Sequence, residues 1–347
     1  MKKVLFIRAD GNSDIGLGHI MRSMTIATAF KDSGYECIYI SSMPVSTNLF
    51  ERYGYPVIAL DYAYDRKTVK EACQIADILT KNHADYILVD SYYTDNEYLS
   101  ILRKSATLIC INSTKKRLLT DYLINENIAS NRDYLEDLYS GSGTRLLLGS
   151  EYSPIRKEFH NRTYLPNRLV QTVLITTGGG DQYNFMTQFM RIVKADALYS
   201  KMQFIFVSGG CNTYYDELVS EALGTSNIRV IRNPRNMADL MQESDVAITA
   251  GGTTVLELSV IGLPTIGIAV ADDQEAGLSF MGQTGMIRYA GCIRDDAFWD
   301  TILIELRNLI NDYGLRKKLS ESSKAHIDGK GAQRIFYQIT GEYNGDR

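Results

Sequence analysis

Val4-Leu5-Phe6-Ile7-Arg8-Ala9-Asp10-Gly11-Asn12-Ser13-Asp14-Ile15-Gly16-Leu17-Gly18-His19 is the stretch that decides the fold. Four apolar residues end abruptly at a charged one, as a short strand buried on both faces does. A polar, glycine-bearing loop follows, and from Ile20 to Asp32 apolar residues recur at helical spacing. Strand, loop and helix make the first βα unit of a parallel sheet. Gly16 and Gly18 let the loop turn tightly and approach a ligand. The helix beginning beside His19 points unpaired N–H groups and a positive dipole end at that ligand, and that end favours the neutral imidazole a general base needs.

Outward from this unit the pattern repeats. Glu36–Ser41, Pro56–Ala59, Tyr86–Val89, Thr107–Ile111 and Tyr122–Ile124 read as strands, with helices over Ile20–Asp32, Lys67–Asn82 and Glu97–Lys104. Residues 151–168 are polar, irregular and carry Pro154 and Pro166, which predicts a linker. A second round follows. Gln171–Thr176, Met202–Val207, Ile228–Ile231, Val246–Thr249 and Thr265–Ile268 read as strands, and Asn184–Lys194, Tyr214–Leu223, Met237–Glu243, Thr254–Ile261 and Phe298–Ile310 as helices. Leu315–Thr340 is helical apart from a break around Asp328-Gly329-Lys330-Gly331. The expectation is an α/β protein of two Rossmann-like domains with parallel sheets facing a central cleft. Residues 1–150 form the N-terminal, catalytic domain and 169–325 the nucleotide-binding domain. Residues 326–347 form a C-terminal helix that packs back on the first domain.

Composition removes several function classes. The 347 residues carry a formal net charge of −4 and no Lys/Arg-rich run, so no nucleic-acid partner is expected. No stretch is long enough for an integral membrane segment, and the N-terminal apolar run is too short for a signal peptide. The five cysteines, Cys37, Cys73, Cys110, Cys211 and Cys292, are scattered and form no CxxC. They read as reduced thiols of a cytoplasmic protein, and with four histidines they give no metal site. No cofactor is expected. The loop is not GxGxxG, and no acidic residue on a second strand reads as a ribose partner, so a dehydrogenase fits poorly.

In the second half, Thr249-Ala250-Gly251-Gly252-Thr253-Thr254-Val255-Leu256-Glu257 follows a strand and opens a helix. Gly251 and Gly252 expose amides where the dipole is positive, which suits a diphosphate. Glu257, one turn in, suits ribose hydroxyls, although Thr254-x-x-Glu257 also reads as a capping box. Gly178 and Gly179, in a triple-glycine loop after the domain's first strand, suggest close ligand approach, with a hinge as the plain alternative. Asp273 and Gln274, in Ala271-Asp272-Asp273-Gln274, are candidate cleft contacts or a solvated strand end.

Taken in order, these motifs resemble hydrolases of pseudaminic acid biosynthesis, the PseG family. The likeness runs through Arg8–Arg22, Val89-Asp90-Ser91-Tyr92, Leu147-Leu148-Gly149 with Tyr152 and Arg156, Gly178–Asp181, Asn236–Met241, Ala250–Glu257, Gly262-Leu263-Pro264, Ala271–Gln274 and Ile327–Arg334. More distantly the chain is similar to the spore-coat polysaccharide protein SpsG and to MurG-like glycosyltransferases of GT-B fold. The resemblance implies metal-independent, inverting release of UDP from a diacetamido-trideoxy sugar by water attack at the anomeric carbon. It places the active-site histidine on His19 and a nearby tyrosine on Tyr92. Asp10, Gly16, Gly18, Arg22, Gly178, Gly179, Gly251, Gly252, Thr253, Glu257, Asp273 and Gln274 then bind substrate, a small-molecule nucleotide-sugar. Three positions depart from the family pattern: Ser91, the pair Asn112-Ser113, and Asp273. All three belong to the sugar side and leave the exact sugar open. A GT-B glycosyltransferase with a UDP-sugar donor is the alternative, and a non-enzymatic nucleotide-sugar binder is a third.

Overall fold

The computed structural model describes residues 2–11, 18–63, 65–91, 93–112 and 116–342. The chain divides into two units, Met1–Pro154 with Lys330–Arg347, and Ile155–Gly329. The first unit is built on strands β1 (Val4–Ala9), β2 (Glu36–Ser41), β3 (Val57–Ala59), β4 (Tyr86–Asp90), β5 (Thr107–Ile111), β6 (Tyr122–Asn125) and β7 (Arg145–Leu148). Their order across the sheet is β3-β2-β1-β4-β5-β6-β7, all parallel. Helices α1 (Gly18–Asp32), α2 (Pro44–Arg52), α3 (Val69–Lys81), α4 (Asn96–Leu102) and α5 (Arg132–Leu138) connect them.

The period of two along a strand sorts β1 between two apolar layers. Leu5, Ile7 and Ala9 face a core shared with Ile20, Ala27 and Phe30 of α1, whereas Phe6 joins Ala72, Ile75 and Leu99 beneath α3 and α4. Both faces are covered, so the strand reads as a continuous apolar run.

The second unit carries β8 (Thr172–Thr176), β9 (Gln203–Ser208), β10 (Ile228–Arg232), β11 (Val246–Ala250), β12 (Thr265–Ala269) and β13 (Arg288–Cys292), ordered β10-β9-β8-β11-β12-β13 and parallel throughout. Its helices are α6 (Phe185–Ala195), α7 (Tyr215–Ala222), α8 (Met237–Gln242), α9 (Thr253–Ile261), α10 (Asp272–Gln283), α11 (Phe298–Asn311) and α12 (Tyr313–His326). The final helix, α13 (Gly331–Thr340), belongs to the first unit, where Phe336 meets Phe30 edge-on at 5.0 Å. Its first residue, Gly331, lies so close to residue 153 that an added Cβ would sit 2.1 Å from the Ser153 carbonyl oxygen.

Four differences from the sequence reading concern the fold. β7 and β13 were not expected as strands, because short edge strands bury little and β13 carries Arg288 and Gly291. α2 and α5 were not expected as helices. Ala271–Glu275 is no loose strand end: Asp272 to Glu275 form the first turn of α10, and β13 lies beyond β12 in the sheet. Residues between 155 and 170 are held by the second unit. Tyr164 donates its N–H to Ile261 O and its hydroxyl to Asp245 O, and the buried guanidinium of Arg316 binds the carbonyls of Asn167 and Arg168. Among the described residues no helix is long and apolar enough to cross a membrane.

Candidate active site

Each sheet reverses direction once. In the first unit β1 lies between β2 and β4, so the chain leaves β1 toward one edge and later returns on its other side. Loops after such a pair part in opposite directions and leave a crevice at the strands' carboxyl ends. Ala9 pairs in register with Asp90, so the residues following β1 and β4 meet there.

His19, in the first turn of α1, places Nδ1 2.6 Å from Asp90 Oδ1. Arg22, one turn further, grips the same carboxylate with Nε at 2.6 Å from Oδ2 and Nη2 at 2.5 Å from Oδ1. Its Nη1 donates to Glu126 Oε1 at 3.2 Å. The ionised carboxylate of Asp90 only accepts, so the Nδ1 of His19 carries a proton, which in the neutral imidazole leaves the lone pair on Nε2. Arg22 Nη2 lies 3.0 Å from Nδ1, a contact that follows from both groups serving one oxygen. Burial pushes the Asp90 carboxyl up, but the charges and hydrogen bonds of Arg22 and His19 outweigh it and hold it below its ordinary value. Glu126 goes the other way: burial raises it, Asp90 adds to the rise, and Arg22 only partly compensates. His19 itself is 4 % exposed. The ring's Nδ1 lies against two charged groups, Asp90 and Arg22.

Beneath this group lies a second polar network. Arg8 is fully buried and binds Glu71 through Nε at 2.9 Å, Asp10 through Nη1 at 2.6 Å and Ser42 Oγ through Nη2 at 2.7 Å. Asp10 also receives Lys67 Nζ at 3.0 Å, Ser41 Oγ at 3.0 Å and the Ser42 N–H at 2.9 Å. Both its oxygens are thus taken by the protein, and its work is to anchor the start of the loop after β1. Gly18 is exposed at the start of α1, and Gly16, Tyr92 and Ser113 lie outside the described residues.

The second unit repeats the geometry. β8 and β11 flank its reversal, with Thr176 opposite Thr249, so the loops at Gly178 and Gly251 share one end of the sheet. Gly252 caps α9 at φ 132° and ψ −160°, a conformation open to glycine, and no side chain caps the helix. The first N–H groups of α9 thus point out beside the exposed Gly252 and the half-buried Thr253, as helix N-termini that bind anions do. Gly251 and Gln274 come together: a Cβ on Gly251 would meet the Gln274 Cβ at 2.7 Å, while Gln274 Oε1 accepts the Val270 N–H at 3.0 Å. Asp273 is exposed in the first turn of α10.

The capping box does not form. Glu257 turns instead to Arg156, whose Nε donates to Oε1 at 2.8 Å. Burial raises the Glu257 carboxyl, and Arg156 offsets the rise only in part. Gly178, at φ 81°, takes a backbone conformation that favours glycine, and its loop in turn demands glycine at 209: a Cβ on Gly209 would lie 2.3 and 2.5 Å from the carbonyl oxygens of Gly178 and Gly179, and Cys211 N–H donates to Gly179 O. Among the described residues no group of three or more His, Cys, Asp or Glu could hold a metal.

Asp90, Glu126, Arg156 and Gly209 had no assigned role from sequence. Asp90 was within reach, since a charged residue closing an apolar strand beside the reversal point is where such folds place chemistry. Arg156 lies within the resemblance but drew no role from it, and Glu126 and Gly209 had no signal, because only the folded chain brings them to their partners.

The comparisons with known proteins agree with this picture. Residues 172–278 match the glycosyltransferase family 28 C-terminal domain. The chain is similar to a UDP-2,4-diacetamido-2,4,6-trideoxy-beta-L-altropyranose hydrolase of Campylobacter jejuni, 24% identical over 285 residues, covering 82% of this chain and 97% of the relative. It is similar to the spore coat polysaccharide biosynthesis protein SpsG of Bacillus subtilis, 20% identical over 335 residues, with 95% of each chain covered. The crystal structure of MurG from Acinetobacter baumannii superposes with a TM-score of 0.70 at 12% identity, covering 99% of this chain and 100% of that one. The resemblance read from the motifs and the GT-B-like fold are both borne out.

Proposed function

We propose that the protein is a nucleotide-sugar hydrolase in which His19, oriented by Asp90, activates water against the anomeric carbon of a UDP-linked sugar. The observation that carries this reading is the 2.6 Å contact from Asp90 to His19 Nδ1, which puts the lone pair on Nε2. Nε2 takes a proton from water as the oxygen bonds to the anomeric carbon. The bond from that carbon to the diphosphate breaks, and UDP departs with the electron pair. Attack opposite the leaving group inverts the configuration. The diphosphate gains charge as it leaves, and the uncapped start of α9 at Gly251, Gly252 and Thr253 stabilises that charge. Glu257 accepts from the ribose hydroxyls, with Arg156 holding its carboxylate in place. Gln274 shapes the Gly251 turn, Asp273 contacts the sugar, and Tyr92 assists at the anomeric centre. UDP as the nucleotide, and the diacetamido-trideoxy sugar, rest on the name of the Campylobacter relative.

The match of residues 172–278 to a glycosyltransferase domain favours a second reading, in which Nε2 deprotonates an acceptor hydroxyl. The two readings share the donor half and differ only in the nucleophile. Incubation with a panel of UDP-sugars and no acceptor separates them. Repeated turnover to free sugar and UDP is the expected result; turnover that appears only with an added acceptor overturns the hydrolase.

A further inference from the structure

Glu126 follows β6, two strands from Asp90, on a turn pinned by its neighbours: Asn125 Oδ1 accepts the Asn127 N–H at 3.1 Å, and Asn125 O accepts the Gly149 N–H at 2.8 Å. One carboxyl oxygen takes Arg22 Nη1 at 3.2 Å, and the other is buried with no hydrogen-bond partner. Placing a second acid beside Asp90 and then burying it costs stability, and a shape-matched apolar residue would be cheaper. Burial and the like charge of Asp90 both push its carboxyl upward, as expected of a group held against its preference. A guanidinium has five N–H groups in one plane. Nε and Nη2 grip Asp90 as a two-pronged fork, and the bond from Nη1 to Glu126 adds an anchor on the far side of the plane that resists the fork sliding off the carboxylate.

We infer that Glu126 is a positioning residue: by holding Nη1 it keeps the Arg22 fork seated on Asp90, and the seated carboxylate in turn fixes the Nδ1–H form of His19. This rests on His19 as the base, and it adds a third strand end, that of β6, to the machinery at β1 and β4.

The test compares Glu126→Ala with Glu126→Gln, which keeps an oxygen for Nη1. Glu126→Met serves if alanine lowers the melting temperature enough to unfold the chain. Acceptor-free release of UDP is measured alongside the binding of UDP alone. Loss of alignment predicts that Glu126→Ala lowers kcat by about 10-fold or more, a fraction of the roughly 10²–10⁴-fold that a whole general base contributes. KM and UDP affinity stay within about twofold, and Glu126→Gln returns to within about threefold of the parent, since a geometric role needs only the acceptor. A Glu126→Ala enzyme with parental kcat, or a Glu126→Gln enzyme as slow as Glu126→Ala, overturns the assignment. Nitrogen-15 spectra of the histidine rings, with His19 assigned by its loss in His19→Gln, need no turnover. The Nδ1–H pattern of His19 is expected in the parent and in Glu126→Gln and is lost in Glu126→Ala; its persistence in Glu126→Ala also overturns the proposal. If the parent releases no UDP, the hydrolase reading fails while the spectra still decide the role of Glu126.

Discussion

Replacing Asp90 by asparagine keeps the shape of the side chain and removes its charge. The carboxylate serves His19 Nδ1 at 2.6 Å and Arg22 at 2.6 and 2.5 Å. An amide has one oxygen for these three donors. With the oxygen toward Arg22 Nε, its NH2 faces Arg22 Nη2 and forces Nδ1 to accept, which moves the ring proton to Nε2 and abolishes the base. With the oxygen toward His19, the NH2 opposes Arg22 Nε, donor against donor. Both arrangements remove the negative charge that faces the imidazolium formed in the reaction. Two unit charges about 4 Å apart attract by about 4 kcal/mol at an effective dielectric of 20. The repulsion between Arg22 and the imidazolium is present in both enzymes and drops out of the comparison, so the lost attraction is about 3–4 kcal/mol, or about 10²–10³-fold in turnover. The assay is coupled detection of UDP release from a saturating UDP-sugar without acceptor, with UDP affinity by calorimetry and a thermal melt to verify folding. Asp90→Asn with turnover within about threefold of the parent, or with UDP affinity reduced by the same factor as turnover, refutes the pairing as the source of the base.

Glu257→Ala should act on the nucleotide: loss of charge-assisted hydrogen bonds of about 1.5–3 kcal/mol weakens UDP binding roughly 10- to 150-fold in calorimetry, with kcat at saturation little changed. Gly331→Ala should destabilise the first unit, because its Cβ falls 2.1 Å from the Ser153 carbonyl oxygen; a drop of about 1–3 kcal/mol in urea unfolding is expected, with UDP binding unaffected. Stability should also depend on acid in a set direction. Asp10 and Asp90 are held below their ordinary values, Asp10 because Arg8 and Lys67 outweigh its burial. Such groups bind fewer protons when folded, so their contribution is complete above about pH 4 and is lost as pH falls through the depressed values. Glu126 and Glu257, held above theirs, contribute in the opposite sense: fully below about pH 4.5, and lost as pH rises through the raised values. Urea midpoints across this range should fall on the acid side, and Asp10→Asn should flatten that fall.

Much of the architecture was legible because parallel strands buried on both faces leave uninterrupted apolar runs. β2 and β5 coincide with the expected spans, and the other central strands differ by a residue or two. β13 escaped because an edge strand half open to solvent has no such run. The glycine motifs were legible as turns, yet their reasons were not. Gly251 makes room for Gln274, and Gly209 makes room for the carbonyls of Gly178 and Gly179, contacts between segments tens of residues apart. Asp10 shows the same limit. A carboxylate in a ligand-side loop reads as a substrate contact, and only the positions of Arg8, Lys67, Ser41 and Ser42 reveal that it is spent inside the unit. His19 was legible from its loop, but its partner Asp90 needed the strand order.

The docking of α13 sets a timetable for synthesis. Phe336 closes an aromatic cluster with Phe30 and Tyr35, residues made some three hundred positions earlier. A growing chain emerges with that face of α1 uncovered, and it stays so while the whole second unit is translated. The amino-terminal half therefore finishes folding last, although it is made first. An isolated fragment ending near residue 154 would carry a permanent apolar gap where Ile335, Phe336 and Ile339 belong, and aggregation during expression is its natural fate.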